Sequence, residues 1–163
     1  MSGPHTHVLV AFATRNGSTR QVAEFVGTVL HHAGAEVEVT PAHSVVGPVH
    51  GYDLVVLGAP IYSGRWHRDA RRFLKHHRDD LSSVPIAVFA LGPRHDDEEA
   101  WRRSRRQLDR ALAAQPWLKP VSVALFGGAD PISRRTSARE DLRDWSAIGA
   151  WARELLARPA LQP

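Results

Sequence analysis

The 163-residue sequence contains no cysteine. That excludes disulfide scaffolds, thiol redox chemistry, thiolate-ligated zinc, iron–sulfur clusters and covalently attached haem. No apolar run approaches the roughly 18 residues of a membrane span. Met1–His7 lacks the charged start and long apolar stretch of a secretory signal, so the expected location is cytoplasmic, with at most peripheral membrane contact. Neither a Gly-Lys-Ser/Thr loop nor a G-x-G-x-x-G fingerprint is present, which excludes the commonest nucleotide-binding motifs. There is no His-Glu-x-x-His, and the ten histidines include the adjacent pairs His31-His32 and His76-His77. Neighbouring positions on a helix do not face one site, so no metal site is expected. Lysine is nearly absent: of 21 basic residues only Lys75 and Lys119 are lysine.

What remains is an ordinary soluble composition, 43% hydrophobic and 23% charged, of a length that suits one domain. The expectation is a single domain over residues 1–163 with a core at about 7–157. The formal net charge is +4. Its arginines are spread along the chain rather than gathered into a nucleic-acid motif, so no nucleic-acid partner is expected. The excess of positive charge reflects either arginine-rich codon usage or an acidic partner.

Short apolar runs alternate with amphipathic stretches. His7–Ala13, Asp53–Leu57 and Pro85–Leu91 are apolar almost throughout, as strands buried on both faces are. Glu36–Thr40 alternates, as a more exposed edge strand does, and Val121–Phe126 supplies a fifth strand. From Ser18, residues Val22, Phe25, Val26, Val29, Leu30 and Ala33 form one helical face, closed by Gly34. Further helices are expected over Arg68–His77, Asp96–Ala114 and about Asp144–Ala157. The last has Trp145, Ile148, Gly149, Ala152, Leu155 and Leu156 on its inner face. Pro41–Tyr52 holds two prolines and two glycines, so that crossover should be short or irregular. This alternation implies an α/β fold, a five-stranded parallel sheet of order 2-1-3-4-5 with helices on both faces.

Ligands of such sheets bind beyond the carboxyl ends of the strands, where chain order reverses. That directs attention to the loops after strands 1 and 3. In the first, Thr14-Arg15-Asn16-Gly17-Ser18-Thr19 joins a buried strand to a helix. Its free backbone N–H groups and the helix dipole favour an anion. Three hydroxyls surround Gly17, which permits close backbone approach. The alternative is a plain capped helix start, with Ser18 or Thr19 as N-cap. In the second, Gly58-Ala59-Pro60-Ile61-Tyr62-Ser63-Gly64-Arg65-Trp66 sets two aromatics around a Ser-Gly turn, where a planar ligand stacks. A third loop, Leu91-Gly92-Pro93-Arg94, would form the far wall.

These three loops resemble those of the flavodoxin-like family. The resemblance spans about residues 7–157 and implies a three-layer flavodoxin-like sandwich that binds FMN without a covalent bond. Thr14, Arg15, Asn16, Gly17, Ser18 and Thr19 match the phosphate loop. Pro60, Ile61, Tyr62, Ser63 and Gly64 match the loop carrying a flavin-stacking aromatic, and Leu91 and Gly92 match the third flavin loop. Tyr62, or in its place Trp66, is the implied ring partner, with a backbone group of Ser63-Gly64 facing flavin N5. Within the family the chain is most similar to the menaquinone-dependent protoporphyrinogen-oxidase branch. The shared segments are Phe12–Arg20, Ile61–His67, and Asp144-Trp145 through Ala152-Arg153-Glu154. Unlike that branch, Gly127–Arg143 is short and polar; unlike electron-shuttling flavodoxins, the chain is basic.

The resemblance implies electron transfer or flavin-dependent oxidoreduction. The partner would be a redox protein or a small-molecule donor or acceptor, possibly a quinone. A non-catalytic electron carrier and a flavin-free interaction module on the same fold stand as alternatives. No side chain is singled out as a general acid or base. His67 and His95 lie near the expected crevice, and Arg65 and Arg94 should flank the ring. Cations there favour negative charge on a reduced flavin.

Overall fold

A computed structural model describes residues 5–15, 17–62, 65–129 and 141–158. Six strands and five α-helices follow one another: β1 (His7–Phe12), α1 (Ser18–His32), β2 (Glu36–Pro41), β3 (Leu54–Tyr62), β4 (Arg65–Trp66), α2 (Arg68–His76), α3 (Arg78–Leu81), β5 (Ile86–Leu91), α4 (Glu98–Ala113), β6 (Ser122–Phe126) and α5 (Trp145–Leu156). The main sheet has the order β2-β1-β3-β5-β6, and each of its four pairings is parallel. Counted along the chain, its five strands stand in the expected order 2-1-3-4-5.

Burial explains the near-continuous apolar runs. On one face Leu9, Ala11, Val55, Leu57, Ile86, Val88 and Ala90 pack with Phe73 and Leu74 of α2 and Leu108 of α4. On the other, Val8, Val10, Phe12, Leu54, Val56, Ala87 and Phe89 pack with Val22 and Val26 of α1 and Ile148 and Leu155 of α5. The period of two is intact, but both of its phases are apolar. The tightest point lies between β3 and β5. Gly58 stands in register with Phe89, and a Cβ on Gly58 would come within 1.9 Å of the Phe89 ring.

Two expected boundaries shift. β3 does not stop at Gly58-Ala59-Pro60 but continues to Tyr62, and then pairs antiparallel with the unforeseen β4 through Ile61↔Trp66 and Tyr62↔Arg65. β1 reaches no further than Ala13, whose N–H donates to the Gly58 carbonyl at 2.9 Å. Pro60, two residues on, faces the same, vacated side, so its missing N–H costs no ladder bond. Its carbonyl accepts instead from His67 N–H at 3.1 Å. Trp145 also departs from expectation: rather than being buried on α5's inner face it is 36% exposed, edge-on to Phe25 with ring centroids 5.2 Å apart. The Pro41–Tyr52 crossover contains only a 3₁₀ turn at Ala42–Ser44. His77 Nε2 bonds the Val45 carbonyl at 2.9 Å, and Val49 N–H donates to Asp80 at 2.8 Å.

α2 begins on a histidine cap. His67 Nδ1 accepts from Asp69 N–H at 3.0 Å, which a doubly protonated imidazole cannot do. Burial lowers the His67 pKa; the Asp69 carboxylate opposes that, and Arg68, Arg15 and Arg71 add to it. His77 is lowered too, chiefly by burial, against its hydrogen bond to Val45.

Two expectations follow. Gly58→Ala should destabilise by about 1–3 kcal/mol through overpacking against Phe89, seen as a lower urea midpoint at unchanged m. For the histidines, the folded chain binds a proton less readily than the unfolded one. Stability from these groups is therefore full above the ordinary pKa of 6.5 and is lost as pH falls below it. His67→Asn, which caps without titrating, should flatten the slope of unfolding free energy as pH falls below 6.5.

Candidate functional site

The carboxyl ends of β1, β3, β5 and β6 open on one crevice of ≈ 370 Å³ including its mouth. Thr14, Ser18 and Thr19 come from the turn into α1, Pro60 and Ile61 from β3, Leu91, Gly92 and Arg94 from the β5 loop, and Gly128 and Ala129 from the chain leaving β6. The two loops singled out by topology and the expected far wall therefore meet.

The first turn is built by a staple and a glycine. Thr14 Oγ1 accepts from Gly17 N–H at 2.9 Å. Gly17 takes φ +88°, a left-handed geometry that costs glycine little. It is also the N-cap of α1, with no side-chain cap, so the alternative of a plain start capped by Ser18 or Thr19 does not hold. The first-turn N–H groups of Ser18, Thr19 and Arg20 consequently have no intrahelical acceptor. Ser18 and Thr19 are buried, and Ser18 Oγ lacks a hydrogen-bond partner. A buried hydroxyl left unmatched is unusual. Here it stands beside the positive end of a 15-residue helix, in the wall of the crevice. An anionic oxygen would satisfy both.

The second loop separates its aromatics. Trp66 is 1% exposed, with Nε1 donating to the Ala59 carbonyl at 3.0 Å. It is a core residue that pins the hairpin, and it does not offer a ring to the crevice. Ile61 is half-buried and lines the crevice. The Tyr62 side chain, Ser63, Gly64 and Asn16 lie outside the described residues. Arg15 and Arg65 are exposed on their loops. Leu91 is buried, and Gly92 N–H donates to the Phe126 carbonyl at 2.8 Å. A Cβ on Gly92 would fall within 2.9 Å of both Leu125 and Ser104. Arg94 lines the crevice as expected. His67 is occupied in capping α2. Among the described residues no cluster of His, Cys, Asp or Glu could hold a metal ion.

Sequence reasoning missed Gly128 and Ala129. The signal was available: Gly127-Gly128 directly follows a strand at the same end of the sheet. Gly128 N–H donates to the Pro93 carbonyl at 2.7 Å, and a Cβ there would meet the Gly92 carbonyl at 2.9 Å. The last two loops thus touch backbone to backbone.

No helix among the described residues is long and apolar enough to cross a membrane. Comparison with known proteins agrees with the geometry. The chain is 26% identical to protoporphyrinogen IX dehydrogenase (quinone) of Escherichia coli K12 over 169 aligned positions, 90% of this chain and 93% of that protein. Oxidised flavodoxin 1 of Bacillus cereus superposes with a TM-score of 0.64 at 16% identity, over 94% of this chain and 99% of that one. The Fusobacterium nucleatum flavodoxin bound to flavin mononucleotide gives 0.55 at 14%, over 93% and 97%. Residues 9–134 match the profile of a family described as flavodoxin domain. The chain therefore belongs to the flavodoxin-domain family: it is a flavodoxin-like redox protein, and FMN is the family's cofactor.

Proposed function

We propose that the chain is a single FMN-binding domain acting in the cytoplasm as a flavin-dependent oxidoreductase of the protoporphyrinogen-oxidase type. The phosphate would rest on Thr14–Thr19 and the flavin ring between the β3–β4 hairpin and the β5 loop. The observation that carries this is the partnerless, buried Ser18 Oγ at the uncapped start of α1. Bound there, FMN supplies the redox chemistry, and the protein supplies affinity and orientation. Thr14 Oγ1 already accepts from Gly17, which leaves its own proton to donate. Ile61, Leu91 and the glycine-lined wall at Gly92 and Gly128 exclude water while admitting a flat group close to the backbone. Arg94 in the wall and Arg65 on the hairpin favour negative charge between them. The roles of Asn16, Tyr62, Ser63 and Gly64 rest on the sequence match.

The similarity to a quinone-linked dehydrogenase over most of both chains supports the oxidoreductase reading. The polar sequence of Gly127–Arg143 opposes a lipid-borne quinone as acceptor, and a water-soluble acceptor fits better. The second reading is an electron carrier. It is favoured by the exposed Arg15 on the turn after β1, Arg65 of β4, and Arg68 and Arg71 at the start of α2, which would meet an acidic protein partner.

The purified chain should show flavin absorption at one FMN per chain. Ser18→Ala should weaken FMN binding roughly three- to tenfold, the worth of one hydrogen bond, and leave riboflavin binding unchanged. A colourless protein that refuses added FMN would instead favour the interaction module. Anaerobic turnover separates the two redox readings. Protoporphyrinogen IX oxidation coupled to reduction of a soluble quinone supports the enzyme. If neither substrate turns over, but electrons pass to an acidic redox protein at a rate that falls with salt and with Arg65→Glu/Arg68→Glu, the chain is a carrier.

A further inference from the structure

We infer that Arg143 is a positioning residue for the phosphate turn, a buried strut that ties the end of the chain to the first turn of α1. The inference rests on the FMN reading above and adds a residue that no loop match supplies. The Arg143 side chain is only 5% exposed, rare for an arginine, and its guanidinium makes contacts in three directions. Nη1 donates to the Ser18 carbonyl at 3.3 Å and to Gln21 Oε1 at 2.6 Å. Nε and Nη2 fork onto the Asp141 carboxylate at 2.9 and 2.7 Å. The guanidinium carbon lies 4.9 Å from the centroid of the Trp145 ring.

Position makes this arrangement informative. A cation buried beside a helix N-terminus is electrostatically adverse, and the Asp141 fork offsets it. With its charge matched in this way, the guanidinium braces and polarises. The Ser18 carbonyl and the Thr19 N–H belong to one peptide unit. Drawing electron density toward the oxygen makes that N–H a stronger donor to an anion in the crevice. The other end of the strut is equally fixed. Leu142 N–H donates to the Gly128 carbonyl at 2.9 Å, and Gly128 N–H to that of Pro93 at 2.7 Å; Ala129 bridges Asp141. The β5 loop, the β6 exit and the α1 turn thus share one hydrogen-bonded path, with Arg143 as its last link.

Loss of Arg143 would have two effects on a phosphate. The turn loses its brace, and the Asp141 carboxylate loses its forked cation near the same helix end, so that its negative charge weighs more against a second anion. A role in folding alone would change phosphorylated and unphosphorylated ligands equally; a strut for the phosphate turn would not.

The test compares FMN and riboflavin dissociation constants, by flavin fluorescence, on the full-length apoprotein. Arg143→Met should weaken FMN roughly tenfold or more, as loss of charge-assisted hydrogen bonds does, with riboflavin changed less than about twofold. Arg143→Lys, which keeps the charge but not the fork, should fall between. Asp141→Asn in the Arg143→Met background should recover part of the loss. If Arg143→Met does not fold, Gln21→Ala, which removes one tether and leaves the guanidinium in place, should still lower the FMN-to-riboflavin preference about twofold. An unchanged preference in both Arg143→Lys and Gln21→Ala overturns the strut. A wild-type chain that binds riboflavin as tightly as FMN overturns the phosphate-turn reading itself, and the strut with it.

Discussion

A parallel strand cannot be followed by its neighbour through a tight hairpin; the chain must return the length of the sheet before the next strand begins. Burial of β1, β3 and β5 on both faces turns that requirement into architecture. The returning segments become helices that cover the two apolar faces, and every strand-to-helix turn falls at one edge of the sheet. The site is a result of this constraint. Thr14, Ile61, Gly92 and Gly128 are distant in sequence and share little chemistry, yet each stands at or just beyond the end of a strand that finishes at the same edge.

That dependence explains how much could be read from the sequence. The three central strands were legible because both phases of the two-residue period are apolar, as in Val8–Phe12 and Ile86–Leu91, the edge strand Glu36–Thr40 because it alternates, and the sheet order because strands alternate with helices. The turn after β1 was legible as a candidate site because its hydroxyls, glycine and helix start are consecutive. What escaped was decided across the sheet. Whether β3 ends at Gly58 depends on where β1 ends, and no local pattern carries that. Trp66 looked like a ring for a ligand because it follows a Ser-Gly turn; its bond to the Ala59 carbonyl exists only once the hairpin closes. Trp145 kept the helical period but met Phe25 at the rim of the bundle rather than in its core.

Charge tells a similar story at two scales. Much of the arginine of α4 is matched within the helix: Arg102 lies near Glu98 and Glu99, Arg105 near Asp109, and Arg106 near Glu99. Such exposed pairs contribute little to stability, but they offset part of the positive charge of that helix. At the mouth of the crevice the balance differs. Asp97 is engaged in capping α4 and Asp141 in holding Arg143, while Arg15, Arg65, Arg68 and Arg71 stay exposed. Exposed arginines thus stand on the elements that follow β1 and β3, among others spread along the rest of the chain.

The contact between Arg143 and Ser18 joins residues 125 positions apart. During synthesis at ~5–20 residues per second, the start of α1 therefore emerges on the order of ten seconds before the residue that braces it. Strand β1 and helix α1 can form early from local contacts, but the turn between them waits for its brace until residue 143 is made. A nascent chain presents the start of α1 without its support, and the support arrives only when Arg143 has emerged.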